Sequence, residues 1–72
     1  MLSKEDFEKL QIEKNNTNDI AIKSVIDDIC KHGHMWLGRT HKEGLIFEKE
    51  MKDILDRNDI KFSIRGIKLI IQ

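Results

Sequence analysis

The chain's only Cys, its only Trp and all three His fall within residues 30–42, CKHGHMWLGRTHK, and these raise three kinds of chemistry. The first is metal binding. Cys30, His32, His34 and His41 are competent ligands for zinc, which takes thiolate sulfur and imidazole nitrogen. Their spacing, C-x-H-x-H-x6-H, matches no zinc pattern, because structural zinc usually draws pairs of ligands from two elements and these four crowd into one. Cys30 and His34 share a face, four residues apart, only if a helix runs on through Gly33. Histidine-mediated metal binding is therefore a third reading, with no residue assigned as a ligand and no cofactor expected.

The second is nucleophilic catalysis. A Cys–His pair can be drawn from Cys30 and its neighbours, but a helix C-terminus is the wrong end to lower a thiol pKa. The sequence has no G-x-S-x-G, no glycine-rich phosphate loop and no evident carboxylate pair. A chain of 72 residues also has little room for a concave pocket of several hundred Å³. The expectation is that this is not an enzyme.

The third is recognition. Met35, Trp36 and Arg39 are residue types enriched at interface hot spots, and Leu37 adds apolar surface beside them. Trp36 with Arg39 and Lys42 is also the combination that stacks on a base and contacts phosphates. The structural alternative is that Met35, Trp36 and Leu37 all turn inward and close the core, since a domain this small needs its large apolar groups.

Charge weighs between these. The totals cancel, 13 Lys/Arg against 13 Asp/Glu. Nucleic-acid binders usually carry a basic excess, so neutrality favours a protein partner. The distribution is uneven. Residues 1–30 are net −3, 31–42 net +3, 43–58 net −2 and 59–72 net +2. The CKHGHMWLGRTHK stretch and the C-terminal segment are thus the two basic blocks.

Four elements must position these residues. A short helix is expected over about 3–14, capped by Ser3, with Phe7 and Leu10 on its buried face. A second spans about 18–32, capped by Thr17 or Asn18. Ile22, Val25, Ile26 and Ile29 form its apolar stripe, and Gly33 ends it. A third covers about 45–57, with Phe47, Met51, Ile54 and Leu55 buried and a Glu48–Lys52 pair on its surface. The last segment alternates as a β-hairpin, about 60–64 and 67–71. A turn at Arg65-Gly66 would pair Ile64 with Ile67, Phe62 with Leu69 and Ile60 with Ile71, leaving Lys61, Ser63, Lys68 and Ile70 on the other face.

A hairpin alone is unstable in water, so the expected fold is a single small α+β domain, residues 1–72, with three helices packed on the C-terminal hairpin. The hairpin's open edges invite pairing with another chain, either a second copy as a homodimer or a different partner. A lone Cys argues against a disulfide-stapled secreted scaffold. The charged N-terminus does not suit a signal peptide, and no run approaches the roughly 18 apolar residues of a membrane span. The expected location is cytoplasmic, with no membrane contact. The bias toward Ile, Lys, Asn and Asp suits an AT-rich bacterial or phage genome.

The leading expectation is a non-catalytic, regulatory protein-binding module, an inhibitor or adaptor acting on a larger protein. Its candidate partner-binding residues are His34, Met35, Trp36, Arg39, Lys42, Arg65, Lys68 and Ile70. The alternative is a small DNA- or RNA-binding domain of winged-helix-like layout, using Trp36, Arg39, Lys42, Lys61, Arg65 and Lys68.

Overall fold

The computed structural model describes residues 2–37 and 41–72, and the side chains of 41–47 lie outside that description. The elements run α1 (Lys4–Asn16), α2 (Ile20–His32), β1 (His34–Trp36), α3 (His41–Arg57), β2 (Phe62–Arg65) and β3 (Lys68–Ile71). The α+β class, the three helices and the C-terminal hairpin agree with the sequence expectation. The strand β1 is new, and it completes a three-stranded antiparallel sheet of order β1-β3-β2. Among the described residues no helix is long and apolar enough to cross a membrane.

α1 starts where its cap predicts. The Ser3 Oγ accepts from the Asp6 N–H at 3.1 Å, and Glu5 and Asp6 sit in the first turn, where the helix dipole favours acids. Its buried stripe is thinner than expected. Leu10 is in the core, and it is the one fully buried residue of α1, whereas Phe7 is exposed. Polar ties make up for the missing apolar contact. The Arg57 guanidinium donates to both Glu13 carboxylate oxygens, at 2.8 and 2.6 Å, and Asn58 Nδ2 donates to the same carboxylate at 2.7 Å. Lys14 pairs with Asp27 of α2 at 2.7 Å, and Lys9 Nζ donates to the Asn58 carbonyl oxygen at 3.1 Å.

The Glu13 cluster gives a stability prediction with a definite sign. The Arg57 hydrogen bonds hold the Glu13 carboxyl below its ordinary value near 4.5, against an opposing push from burial. A depressed carboxyl contributes stability that is present above its unfolded pKa and is lost as pH falls through the folded one. Arg57 is more than half exposed, so solvent screens much of the pair. Glu13→Gln is expected to cost about 1 kcal/mol at neutral pH. Urea melts of the two proteins should converge as pH is lowered below 4.5.

α2 begins at Ile20 and not at 18, because Asp19 takes the cap in place of Thr17 or Asn18. Its Oδ1 accepts from the N–H groups of Ala21 and Ile22, and the Thr17 Oγ1 in turn accepts from the Asp19 N–H. Ile22, Val25, Ile26 and Ile29 are all buried, as their spacing predicts. Gly33 closes the helix at φ 76°, in the left-handed region, and donates to the Ile29 carbonyl oxygen at 2.8 Å.

α3 starts four residues earlier than expected, at His41, and ends at Arg57 as expected. Met51, Ile54 and Leu55 are buried, Glu48 and Lys52 approach to 3.8 Å, and the Phe47 side chain lies outside the described residues. The helix closes with a paired-bond C-cap. The Ile60 N–H donates back to the Leu55 carbonyl oxygen at 2.9 Å, and the Asp59 N–H to that of Asp56 at 3.2 Å. Asp59 stands at φ 58°, where glycine is usual. Asp59→Gly is therefore expected to raise stability by about 0.5–1 kcal/mol, read as a higher denaturation midpoint with an unchanged slope.

The hairpin forms in a different register from the one its apolar pairs suggest. Phe62 pairs with Ile71, Ser63 with Ile70, Ile64 with Leu69 and Arg65 with Lys68. The turn is Gly66-Ile67, and Gly66 has φ 60°. The cause lies in the turn. A two-residue hairpin loop needs positive φ at its first position, and the expected Arg65-Gly66 turn would put arginine there. Moving the loop one residue onward gives that place to glycine. The cost is that Ile67 leaves its expected pairing with Ile64 and sits exposed in the turn. A shift of two in the pairing preserves the faces, so Lys61, Ser63, Lys68 and Ile70 keep the face expected of them.

β1 pairs with the opposite edge of β3, placing His34 beside Ile70, Met35 beside Leu69 and Trp36 beside Lys68. The chain thereby covers one hairpin edge itself, where pairing with another chain was expected. α2 packs against β1, and the core lies between the helices and the inner side of the sheet.

Candidate functional site

Alternation along β1 decides how the 34–37 stretch divides. Met35 (4% exposed) and Leu37 point into the core, and Trp36 (46% exposed) points out. Neither all-outward nor all-inward holds. Met35 is thus corrected from a partner-binding residue to a core residue, because it lies on the sheet face that packs against the helices. Arg39 lies outside the described residues, and so does the side chain of Lys42.

The other five candidates come together. The outer sides of the three strands line up in two cross-strand rows, His34–Ile70–Ser63 and Trp36–Lys68–Arg65. Lys61 and Gln72 continue the pattern, with the Gln72 N–H donating to the Lys61 carbonyl oxygen at 3.0 Å. Two segments 25 positions apart in sequence, 34–36 and 61–72, therefore make one surface. The strands place Lys61, Arg65 and Lys68 on it and no acid.

Trp36 is the centre of the local contacts. The Lys68 ammonium lies 5.1 Å from its ring centroid, a cation–π distance. His34 meets it nearly perpendicular, with ring centroids 6.1 Å apart, and His32 lies 5.7 Å beyond His34. The T-shaped arrangement suits the quadrupoles of the two rings. A shallow hollow of about 340 Å³ lies here between α2 and β1, lined by Asp28, His32, His34, Met35 and Trp36. Asp28, from α2, supplies the acid at its border.

The metal and thiol chemistries look different once the helix end is in place. Because α2 stops at Gly33, Cys30 stays with the core while His34 goes to the outer face of the sheet. Among the described residues no three His, Cys, Asp or Glu side chains gather as a metal site. Burial pushes the Cys30 thiol up from its ordinary pKa, partly offset by a 3.5 Å hydrogen bond from Gln11 Nε2. That environment disfavours the thiolate that nucleophilic chemistry needs.

No protein family matches the chain, and no curated protein or solved structure does either. The reading of this surface therefore rests on its own chemistry.

Sequence reasoning placed Ser63 on the outer face with Lys61, Lys68 and Ile70, but it missed that β1 joins the two basic blocks. The signal in HMWL, residues 34–37, is weak, since His34 is its one polar residue beside three apolar ones. The winged-helix-like layout fares differently. Only the segment 33–40 separates α2 from α3, and it contains a strand, so the two are not joined by the short turn of a helix-turn-helix. The exposed side of α3 carries Lys49, Glu50, Asp53 and Asp56, a mixed surface poorly suited to a DNA groove.

Proposed function

We propose that this protein is a non-catalytic binding module whose working surface is the outer face of the sheet, and that its partner is a protein presenting acidic groups. The observation that carries the reading is Trp36. It is nearly half exposed on a strand whose neighbours in sequence are both buried, with Lys68 against its ring and Arg65 in the same row. An exposed Trp with one cation on its ring and a second in the same row is a hot-spot anchor with its own electrostatic complement. Such a module acts by occupying a surface on a larger protein, as an inhibitor or adaptor does.

The acid-free strand positions also favour a second reading, single-stranded nucleic acid. Two features weigh against it. The Lys68 ammonium already lies over the ring that would stack on a base. Sheet platforms for single strands also commonly stack two or three bases on several Phe, Tyr or Trp rings, and among the described residues Trp36 is the one such ring on this face, with only the smaller His34 ring beside it.

The test is capture from a lysate of the source cell, with and without nuclease, by the native chain and by Arg65→Glu/Lys68→Glu. A protein retained by the native chain, insensitive to nuclease and lost with the double variant supports the reading. Retention that disappears with nuclease transfers the face to nucleic acid. Retention unchanged by the double variant removes the face from binding altogether.

A further inference from the structure

The sheet has one edge where backbone, charge and apolar surface all ask for the same complement. β2 is an outer strand in the order β1-β3-β2. Gln72 donates to the Lys61 carbonyl oxygen, so Lys61 directs its backbone toward β3. Antiparallel pairing alternates, and Ser63 and Arg65 do the same. The backbone N–H and C=O groups of Phe62 and Ile64 are then left on the open side.

The two sides of this edge differ sharply. On the outer face it shows Lys61, Ser63 and Arg65 at two-residue spacing. On the inner face it shows Phe62, half-buried, and Ile64, 38% exposed, because helix-to-sheet packing is concentrated at β1. Ile67 extends the apolar side at the turn.

We infer that β2 accepts an extended segment of a partner protein as a fourth strand, one whose residues alternate acidic and apolar. Strand addition supplies main-chain hydrogen bonds to Phe62 and Ile64, and alternate side chains supply the specificity. One set of side chains meets Lys61 and Arg65 and is acidic. The other covers Phe62 and Ile64 and is apolar. Asp56 and Asp59 border Lys61 and Phe62 at the start of the strand, so the acidic preference is strongest at the Arg65 end.

A second copy of the chain fits this edge poorly. One antiparallel pairing of two such edges, through Phe62 and Ile64, is centred on Ser63. It sets Lys61 of each copy opposite Arg65 of the other, and directly opposed like charges destabilise a strand pair. In that register the homodimer expected from open hairpin edges is disfavoured by the charges the edge carries.

This inference rests on the binding-module reading, but the two fail separately, since one is read by partner retention on the outer face and the other by exchange protection at the backbone of Phe62 and Ile64. The experiment is amide hydrogen exchange and chemical-shift mapping of the full chain with three blocked peptides. They are Val-Glu alternating over seven residues, the same composition with the glutamates grouped at one end, and Val-Lys alternating. The alternating acidic peptide at saturation is expected to slow exchange at Phe62 and Ile64 at least tenfold, with the other two inactive. Arg65→Glu, at an exposed position beside the turn, is expected to weaken that peptide at least tenfold and to admit the Val-Lys peptide. Unchanged exchange at Phe62 and Ile64 with millimolar acidic peptide overturns the inference. So does protection that grows with protein concentration alone, which would give the edge to a second copy. Equal protection by an oligothymidylate, which would give it to nucleic acid, overturns it as well.

Discussion

Leu69→Ala is expected to cost about 3 kcal/mol, while Ile67→Ala, two residues away on the same strand phase, changes stability by less than about 0.5 kcal/mol. Leu69 is fully buried in the central strand, between Met35 of β1 and Ile64 of β2. Truncating it removes apolar contact from the middle of the sheet and leaves a cavity that three strands and the helices beneath cannot all close. A domain of this length has a total stability of roughly 4–11 kcal/mol, so the loss is a large fraction of it. Ile67 is 62% exposed in the turn and has little to lose. Urea denaturation of both variants checks the pair of values. In the register with Ile64 opposite Ile67, both residues face the core and both truncations are costly. Equal large losses would therefore restore that register and move Gly66 to the second position of the turn.

The same contrast shows which parts of this fold can be read from residues. Strong periodicity carried α2 and α3. Four apolar residues at three- and four-residue spacing, closed by Gly33, admit only one helix face, and the structure buries all four. The hairpin was legible as a hairpin but not in its register. Apolar matching and turn chemistry pointed to different loops, and the backbone requirement at Gly66 prevailed over one isoleucine pair. β1 was hidden by its length. Three residues make a weak period-two signal, and a strand that short is stable only because β3 offers it a ready edge. The charge clusters that pin α1 were also out of reach, since Glu13 and Arg57 meet across 44 positions of sequence. For the proposed binding face, residue type picked out His34 and Trp36, and the hairpin pattern picked out Arg65, Lys68 and Ile70. What joined them was the pairing of β1 with β3, a long-range contact that composition does not encode. Met35 was misplaced for the same reason, since facing in or out depends on a strand that could not yet be seen.

Trp36→Ala and Met35→Ala, at adjacent positions, are expected to fail in opposite ways. Met35 is buried against Leu69, so its truncation costs about 2–3 kcal/mol and lowers the denaturation midpoint. Trp36 gives up its contacts with Lys68 and His34, both on the surface, so its loss costs about 1 kcal/mol or less. Its effect on binding is the larger one. An exposed aromatic at the centre of an interface contributes about 2 kcal/mol, which is roughly a 30-fold loss of affinity for the captured partner. Trp36→Phe separates the two terms further, since it keeps an aromatic ring for Lys68 and reduces the area offered to the partner. Its stability should match the native chain, with affinity between the native and alanine values. If Trp36→Ala instead unfolds the protein as Met35→Ala does, the side chain belongs to the core, and the outer face loses its anchor. If stability and affinity both stay unchanged, the basic row of Arg65 and Lys68 binds without it, and the contact is electrostatic alone.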